Sequence, residues 1–169
     1  NVLYLSYDGL LDPLGQSQVL PYLDAISEKY NVSVLSFEKK LRNNDEIATL
    51  RQRLSDQGIS WHFTEFTEGR LGVAARVIKG IFLLRKLGKS EKIDLFHLRG
   101  LMAAVLFKLS LINTRYLYDF RGFALYEWTD MGKLKASSLF FKILLWLDKS
   151  AIKNSSGIVV LEESAKELL

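Results

Sequence analysis

Six short strand-like runs, each followed by a longer segment with helical spacing, restrict the fold of this chain more than any other feature. Residues 2–7, 31–37, 59–66, 93–98, 115–120 and 157–161 are rich in Val, Leu, Ile, Phe and Tyr and read as strands. Residues 16–29 place Val19, Leu20, Leu23 and Ile26 at helical spacing, and residues 45–57 place Ile47, Leu50 and Leu54 on one face before Gly58 stops them. Residues 71–87, 100–112 and 133–153 continue the helical series, and a further helix is expected from Glu162. Strands separated by helices make βα units, and such units make a parallel sheet covered on both faces. The right-handed crossover rule then predicts an α/β, doubly wound, Rossmann-like parallel sheet of six strands. A length of 169 residues suits one such domain over 1–169. The sequence stops inside a helix just after a strand, as expected of a piece of something larger.

Composition removes several kinds of chemistry. With no Cys there is no disulfide, no thiol nucleophile and no zinc–cysteine site. With only His62 and His97, a His-rich metal site is excluded as well. No run reaches the ~18 apolar residues of a membrane span, and no signal peptide is visible, so a cytoplasmic protein is expected. A net charge of +4 points to an anionic partner without naming it. Because that charge is spread over several helices, nucleic acid is a poor match.

In doubly wound sheets, ligands bind beyond the carboxyl ends of the strands. Those ends fall at 8–15, 38–44, 67–70, 99–100 and 121–132, which hold much of the Gly, Arg and Asp content. The first reads Asp8-Gly9-Leu10-Leu11-Asp12-Pro13-Leu14-Gly15-Gln16-Ser17-Gln18. A glycine just before a helix lets backbone approach a ligand, and the helix start offers free N–H groups to an anion such as phosphate. An ordinary βα turn with a glycine at the bend fits the same residues equally well. Neither the G-x-G-x-x-G fingerprint of dinucleotide sites nor the P-loop pattern is present.

The run Ser6-Tyr7-Asp8-Gly9, then Asp12-Pro13-Leu14-Gly15-Gln16-Ser17-Gln18-Val19-Leu20-Pro21-Tyr22-Leu23, resembles the opening of bacterial sugar transferases of glycosyltransferase family 4. Val34-Leu35-Ser36-Phe37, Asp94-Leu95-Phe96-His97-Leu98-Arg99-Gly100, Tyr118-Asp119-Phe120-Arg121-Gly122 and the valine-rich run from Gly157 to Ala165 are similar to later strand ends of that family, so the resemblance covers nearly the whole chain. It implies the GT-B fold, in which two Rossmann-like domains face each other, with this chain as the N-terminal, acceptor-side domain. It further implies a retaining, hexosyltransferase-type enzyme that moves a sugar from a nucleotide-sugar donor to a carbohydrate or lipid-linked acceptor, in envelope polysaccharide or glycolipid synthesis. In the family, a second domain holds most of the donor with glutamates spaced E-x7-E. Glu38 and Glu46 have that spacing but lie after the second strand, the wrong place, and read as coincidence. The chain alone is therefore expected to be inactive. It also lacks the D-x-D pair of metal-dependent sugar transferases, in agreement with chemistry that needs no metal and no cofactor.

The resemblance places Gly15 opposite the donor phosphate, Gln16 beside it at the helix start, and Arg121 in the same cleft. Asp8, Asp12, Arg99 and Asp119 fall on the acceptor side. Catalytic residues stay unassigned, because relatives often carry His at the positions occupied here by Arg99 and Arg121. Guanidinium groups at two strand ends suit an anionic ligand group. Salt bridges to Asp119, Asp8 or Glu127 are the other use for them. Asp119 precedes Arg121 by two and points the same way, so it is placed to orient that guanidinium. His97 reads as a hydrogen-bonded core histidine and His62 as a surface residue.

Two helical segments carry lysine stripes. Arg76, Lys79 and Lys86 share one with Leu83, and Lys135, Lys142, Lys149 and Lys153 share another, beside Leu139 and Trp146. A basic amphipathic helix with aromatic residues suits peripheral contact with an anionic inner-membrane surface, with Lys135, Lys142, Trp146 and Lys149 facing it. A solvated helix face explains the same pattern. For the chain as a whole, the rival to the enzyme is a non-enzymatic Rossmann-like module binding a phosphorylated ligand.

Overall fold

The computed structural model describes residues 1–39, 43–66, 70–161 and 163. Its strands are β1 (Val2–Ser6), β2 (Val32–Lys39), β3 (Ser60–Phe66), β4 (Leu95–Arg99), β5 (Tyr116–Phe120) and β6 (Gly157–Val160), and its helices are α1 (Leu20–Ser27), α2 (Asn44–Asp56), α3 (Arg70–Ser90), α4 (Gly100–Ser110), α5 (Ala124–Asp130) and α6 (Leu139–Lys153). The six strands form one parallel sheet in the order β3-β2-β1-β4-β5-β6. The winding direction reverses between β1 and β4, which makes the sheet doubly wound, as the alternation of elements predicts.

Side chains alternate across the strands and build a core on each face. Tyr4, Val32, Val34 and Trp61 pack under α1 and α2 against Leu20, Leu23, Ile47, Leu50 and Leu54. Leu3, Leu5, Leu35, Phe37, Phe96 and Leu98 point the other way, against Leu84 and Leu87 of α3 and Ala103, Ala104 and Leu106 of α4. Every residue of β1 is buried, because helices cover it on both sides. A smaller cluster of Leu101, Val105, Leu125, Phe141 and Leu144 joins α4 to α5 and α6.

Four details differ from the sequence expectation. Residues 13 and 14 are already helical, with the Gln16 N–H bonded to the Asp12 carbonyl at 2.9 Å, and a π-helical turn over Gly15–Val19 leads into α1. Pro13, whose fixed φ suits a first helical turn, marks the true start. β2 runs through Glu38, which the sequence places in a loop. The segment 133–153 is not one helix. Its first six residues are a turn, and α6 begins only after Ser138, whose Oγ accepts from the Phe141 N–H at 3.1 Å; ahead of it, the segment 121–132, read as a loop, carries the short helix α5, which ends at Asp130 before Gly132 at φ +68°. Lys135 therefore lies in the connecting turn, off the stripe shared by Lys142, Lys149 and Lys153. Finally, His62 is half-buried, with Nε2 2.7 Å from Glu91 Oε1. The helix expected from Glu162, and residues 40–42 and 67–69 of two inspected loops, lie outside the described residues.

Gly80 shows how closely α3 approaches the sheet. A Cβ there would sit 2.7 Å from Phe37 Cζ and 3.2 Å from Leu106 Cδ2. In an open helix, Gly→Ala stabilises by about 1 kcal/mol. Here the sign reverses: Gly80→Ala is expected to cost about 1–3 kcal/mol through overpacking, read as a lower urea midpoint at unchanged m-value. A stabilised variant would contradict this packing.

Candidate functional site

The carboxyl ends of β1, β4 and β5 meet at the reversal of the sheet, and each sends a charged residue there. β1 continues into Tyr7 and Asp8, then into the glycine loop. That loop is held from below by Glu38, which is fully buried. One carboxylate oxygen of Glu38 accepts from the Leu10 N–H and the Ser36 hydroxyl, both at 2.7 Å, and the other lies 3.4 Å from the Leu11 N–H. Both glycines of the loop serve this packing. A Cβ on Gly9 would meet Glu38 Oε2 at 2.5 Å, and one on Gly15 would meet the Gly9 carbonyl oxygen at 2.2 Å. Gly15 is small because the loop folds back on itself, so a larger residue there disrupts the loop before it can test any ligand contact.

Asp119, on β5, is almost completely buried. Its Oδ2 accepts from Arg121 Nη2 at 2.6 Å and lies 3.4 Å from His97 Nε2 and 3.5 Å from the Tyr4 hydroxyl. His97 Nδ1 in turn meets the Tyr22 hydroxyl of α1 at 3.2 Å, and its ring packs 4.7 Å from that of Tyr4. Burial alone would raise the Asp119 carboxyl. Hydrogen bonds from His97 and Arg121, with the charge of Arg121, outweigh it and hold the group below the usual carboxylate range. Burial, then the Asp119 charge, pushes the Tyr4 phenol up to about 12.

Arg99 ends β4 and is also buried; Gly100, at φ +74°, turns the chain from it into α4. Arg99 Nη2 donates to Gln18 Oε1 at 2.8 Å, while its Nε and Nη1, and the Nε of Arg121, have no hydrogen-bond acceptor among the described residues. Arg99 and Arg121 line a cavity of about 790 Å³, together with Asp8, Gln18 and Arg76 of α3, which stacks over the Tyr7 ring at 4.8 Å. From there the cavity runs between α3, α4 and α6.

The structure thus brings Asp8, Arg99 and Arg121 to one cavity, with Asp119 beneath. Arg121 takes the salt bridge to Asp119; Arg99 pairs with Gln18 instead of a carboxylate. Asp12 sits apart, 3.4 Å from Lys39 Nζ, and Gln16 lines a separate hollow against Asp45, Glu46 and Arg53 of α2. Lys135, Lys142, Lys149 and Trp146 are exposed. Among the described residues, no group of three His, Asp or Glu side chains is placed to hold a metal ion. Gln18, Tyr4, Tyr22 and Glu38 were not singled out from the sequence as site residues. Glu38 is a charged residue within an apolar strand, the usual mark of a buried charge with partners.

No family model matches the chain, and no curated protein matches it by sequence. Solved structures share its fold at low identity. LpCGTa, solved in complex with UDP, superposes with TM-score 0.60 at 10% identity over 99% of this chain and 48% of that one. Sucrose-phosphate synthase from Thermosynechococcus elongatus gives 0.63 at 12% over 99% and 44%, and MurG from Acinetobacter baumannii gives 0.50 at 14% over 94% and 44%. The chain therefore spans about half the length of the structures it matches. Its fold is that of a Rossmann-like GT-B domain.

Because its folded pKa is depressed, Asp119 contributes stability that is fully present above the unfolded carboxylate value, ~4, and is lost as pH falls through the lower folded value. Asp119→Asn is expected to lower the urea midpoint at pH 7, with the gap to wild type closing on acidification. A gap that stays constant from neutral pH to below that range would contradict the assignment.

Proposed function

We propose that the chain is the acceptor-side domain of a retaining, hexosyltransferase-type glycosyltransferase of family 4, which takes a nucleotide sugar as donor and a carbohydrate or lipid-linked acceptor. The second domain of the whole enzyme holds most of the donor and closes over the strand ends; no metal takes part. The observation that carries this reading is the cavity at the sheet's reversal, lined by Arg99 and Arg121, whose guanidinium groups keep N–H groups without an acceptor among the described residues, beside a buried carboxylate. In α/β sheets this is the place for a ligand, and the chemistry is that of an anion site. The likeness to GT-B structures over somewhat less than half their length and the residues of the first loop support the same reading. Within the proposed enzyme, Gly15, Gln16 and Arg121 belong to the donor phosphate or the cleft, and Asp8, Asp12, Arg99 and Asp119 to the acceptor side. Envelope polysaccharide or glycolipid is the proposed product.

Transfer from a panel of radiolabelled nucleotide sugars tests this. The 169-residue chain is expected to show none, the whole enzyme to transfer, and its Arg121→Ala variant to lose about ten- to a hundredfold, the worth of a hydrogen bond to a charged group. Turnover by this chain alone, or wild-type transfer by the variant, would overturn the assignment.

The proposed enzyme works at the cytoplasmic face of a membrane by peripheral contact. No described helix is long and apolar enough to cross one. On α6, Leu139, Ile143 and Trp146 recur at helical spacing and are all exposed, with Lys142, Lys149 and Lys153 beside them. Each lysine near an anionic surface contributes ~1 kcal/mol. Replacing Lys142 and Lys149 by Gln is therefore expected to weaken binding to phosphatidylglycerol vesicles about thirtyfold. Equal sedimentation of variant and wild type, or none of either, would leave α6 as a solvated face.

A further inference from the structure

We propose that the cavity at the sheet's reversal takes one amphipathic ligand, a lipid phosphate or diphosphate, with its anionic head on Arg99 and Arg121 and its hydrocarbon chain between α3, α4 and α6. Calling that ligand the sugar acceptor rests on the transferase reading above; its binding does not.

The head end follows from unmet donors. Arg99 is 6% exposed, yet two of its nitrogens have no acceptor among the described residues, and Arg121 leaves a third without one there. Buried N–H groups on a cation are costly to leave unmet, and a phosphate supplies several acceptor oxygens at once. The first turn of α4, starting at Gly100, faces the same space with its own free N–H groups. Arg76 adds a third guanidinium, against the single exposed carboxylate of Asp8.

The other end of the cavity has a different character. Val73 and Val77 of α3, Met102 and Val105 of α4, and Phe140 and Leu144 of α6 line it. A sugar there would find no hydroxyl partners among these side chains. A hydrocarbon chain would cover them, including Val73 and Phe140, which are exposed at the mouth. The volume of about 790 Å³ is within the ordinary range for a bound small molecule. Cationic and apolar ends in one continuous cavity match an ionic head joined to a chain, and not two separate ligands.

Trp128 lines the cavity, so its emission reports occupancy. The chain is titrated with hexyl, octyl, decyl and dodecyl phosphate below their micelle concentrations, with inorganic phosphate and neutral dodecyl maltoside as comparison arms. Affinity is expected to rise about fourfold per added CH₂ until the groove is filled. Inorganic phosphate and the maltoside are both expected to bind far more weakly than dodecyl phosphate. Arg121→Gln is expected to weaken every alkyl phosphate about ten- to a hundredfold while keeping the chain-length increment. Met102→Trp, which fills the groove, is expected to abolish the increment while keeping the dependence on the head. Affinity independent of chain length would mean that only a free phosphate is held, or that another part of the protein covers the apolar wall, and would overturn the proposal. Equal binding of the neutral maltoside would overturn it too. Transfer to a water-soluble sugar by the whole enzyme, with no alkyl phosphate bound, would sink this proposal and leave the transferase reading standing. Alkyl phosphate binding without transfer to any acceptor would do the reverse.

Discussion

One buried carboxylate fixes the geometry of the strand ends. Asp119 is 1% exposed and charged, and a charge that deep is tolerated only among partners. The partners come from different parts of the chain: Arg121 from just past β5, His97 from β4 and Tyr4 from β1, with Tyr22 of α1 bonded to His97 behind them. Registry between β1, β4 and β5 is thus set by polar contacts as well as by the backbone ladder. The same contacts decide where Arg121 sits and leave its Nε without an acceptor among the described residues. Glu38 does for the first loop what Asp119 does for the strand ends, through N–H groups that the tight turn at Gly9 would otherwise leave unmet.

The two faces of the sheet then acquire different tasks. On the α1 side, the polar cluster is closed and largely internal. On the other side, α3 and α6 part around the start of α4 and leave the cavity open between them. The reversal of strand order produces that gap, because successive crossovers leave in opposite directions from β1 and β4. A site that is cationic at the sheet and apolar along the helices follows from this placement.

Most of the architecture was legible in the sequence because it rests on periodicity, which local patterns carry. All six strands, the doubly wound parallel sheet and the positions of Asp8, Arg99, Asp119 and Arg121 at strand ends follow from runs of apolar residues and their boundaries. Misplaced details depend on interactions that spacing does not encode. Glu38 looked like a loop residue because a carboxylate in a central strand makes sense only once Leu10 and Ser36 are seen around it. The late start of α6 turns on Ser138 capping Phe141, a short-range signal inside the expected helix, and α5 is a short helix within a segment whose Gly and Arg content reads as a loop. The close packing of Gly15 against Gly9 and Leu10 of its own loop is a second reason for a glycine there, one that spacing does not reveal. Likewise, nothing in the spacing of Gln18 and Arg99, 81 positions apart, announces their hydrogen bond.

The central claim is that Asp119 holds Arg121, alongside Arg99, at the cavity wall, and that their guanidinium N–H groups, which lack an acceptor among the described residues, take an anion. NMR of the arginine Nε–H groups reads this directly. The expected result is that the Arg99 and Arg121 signals move together on titration with dodecyl phosphate, and that Asp119→Asn broadens the Arg121 signal and weakens its response. If both signals stay fixed while other arginines or surface lysines respond, the strand ends are not the anion site and the account fails.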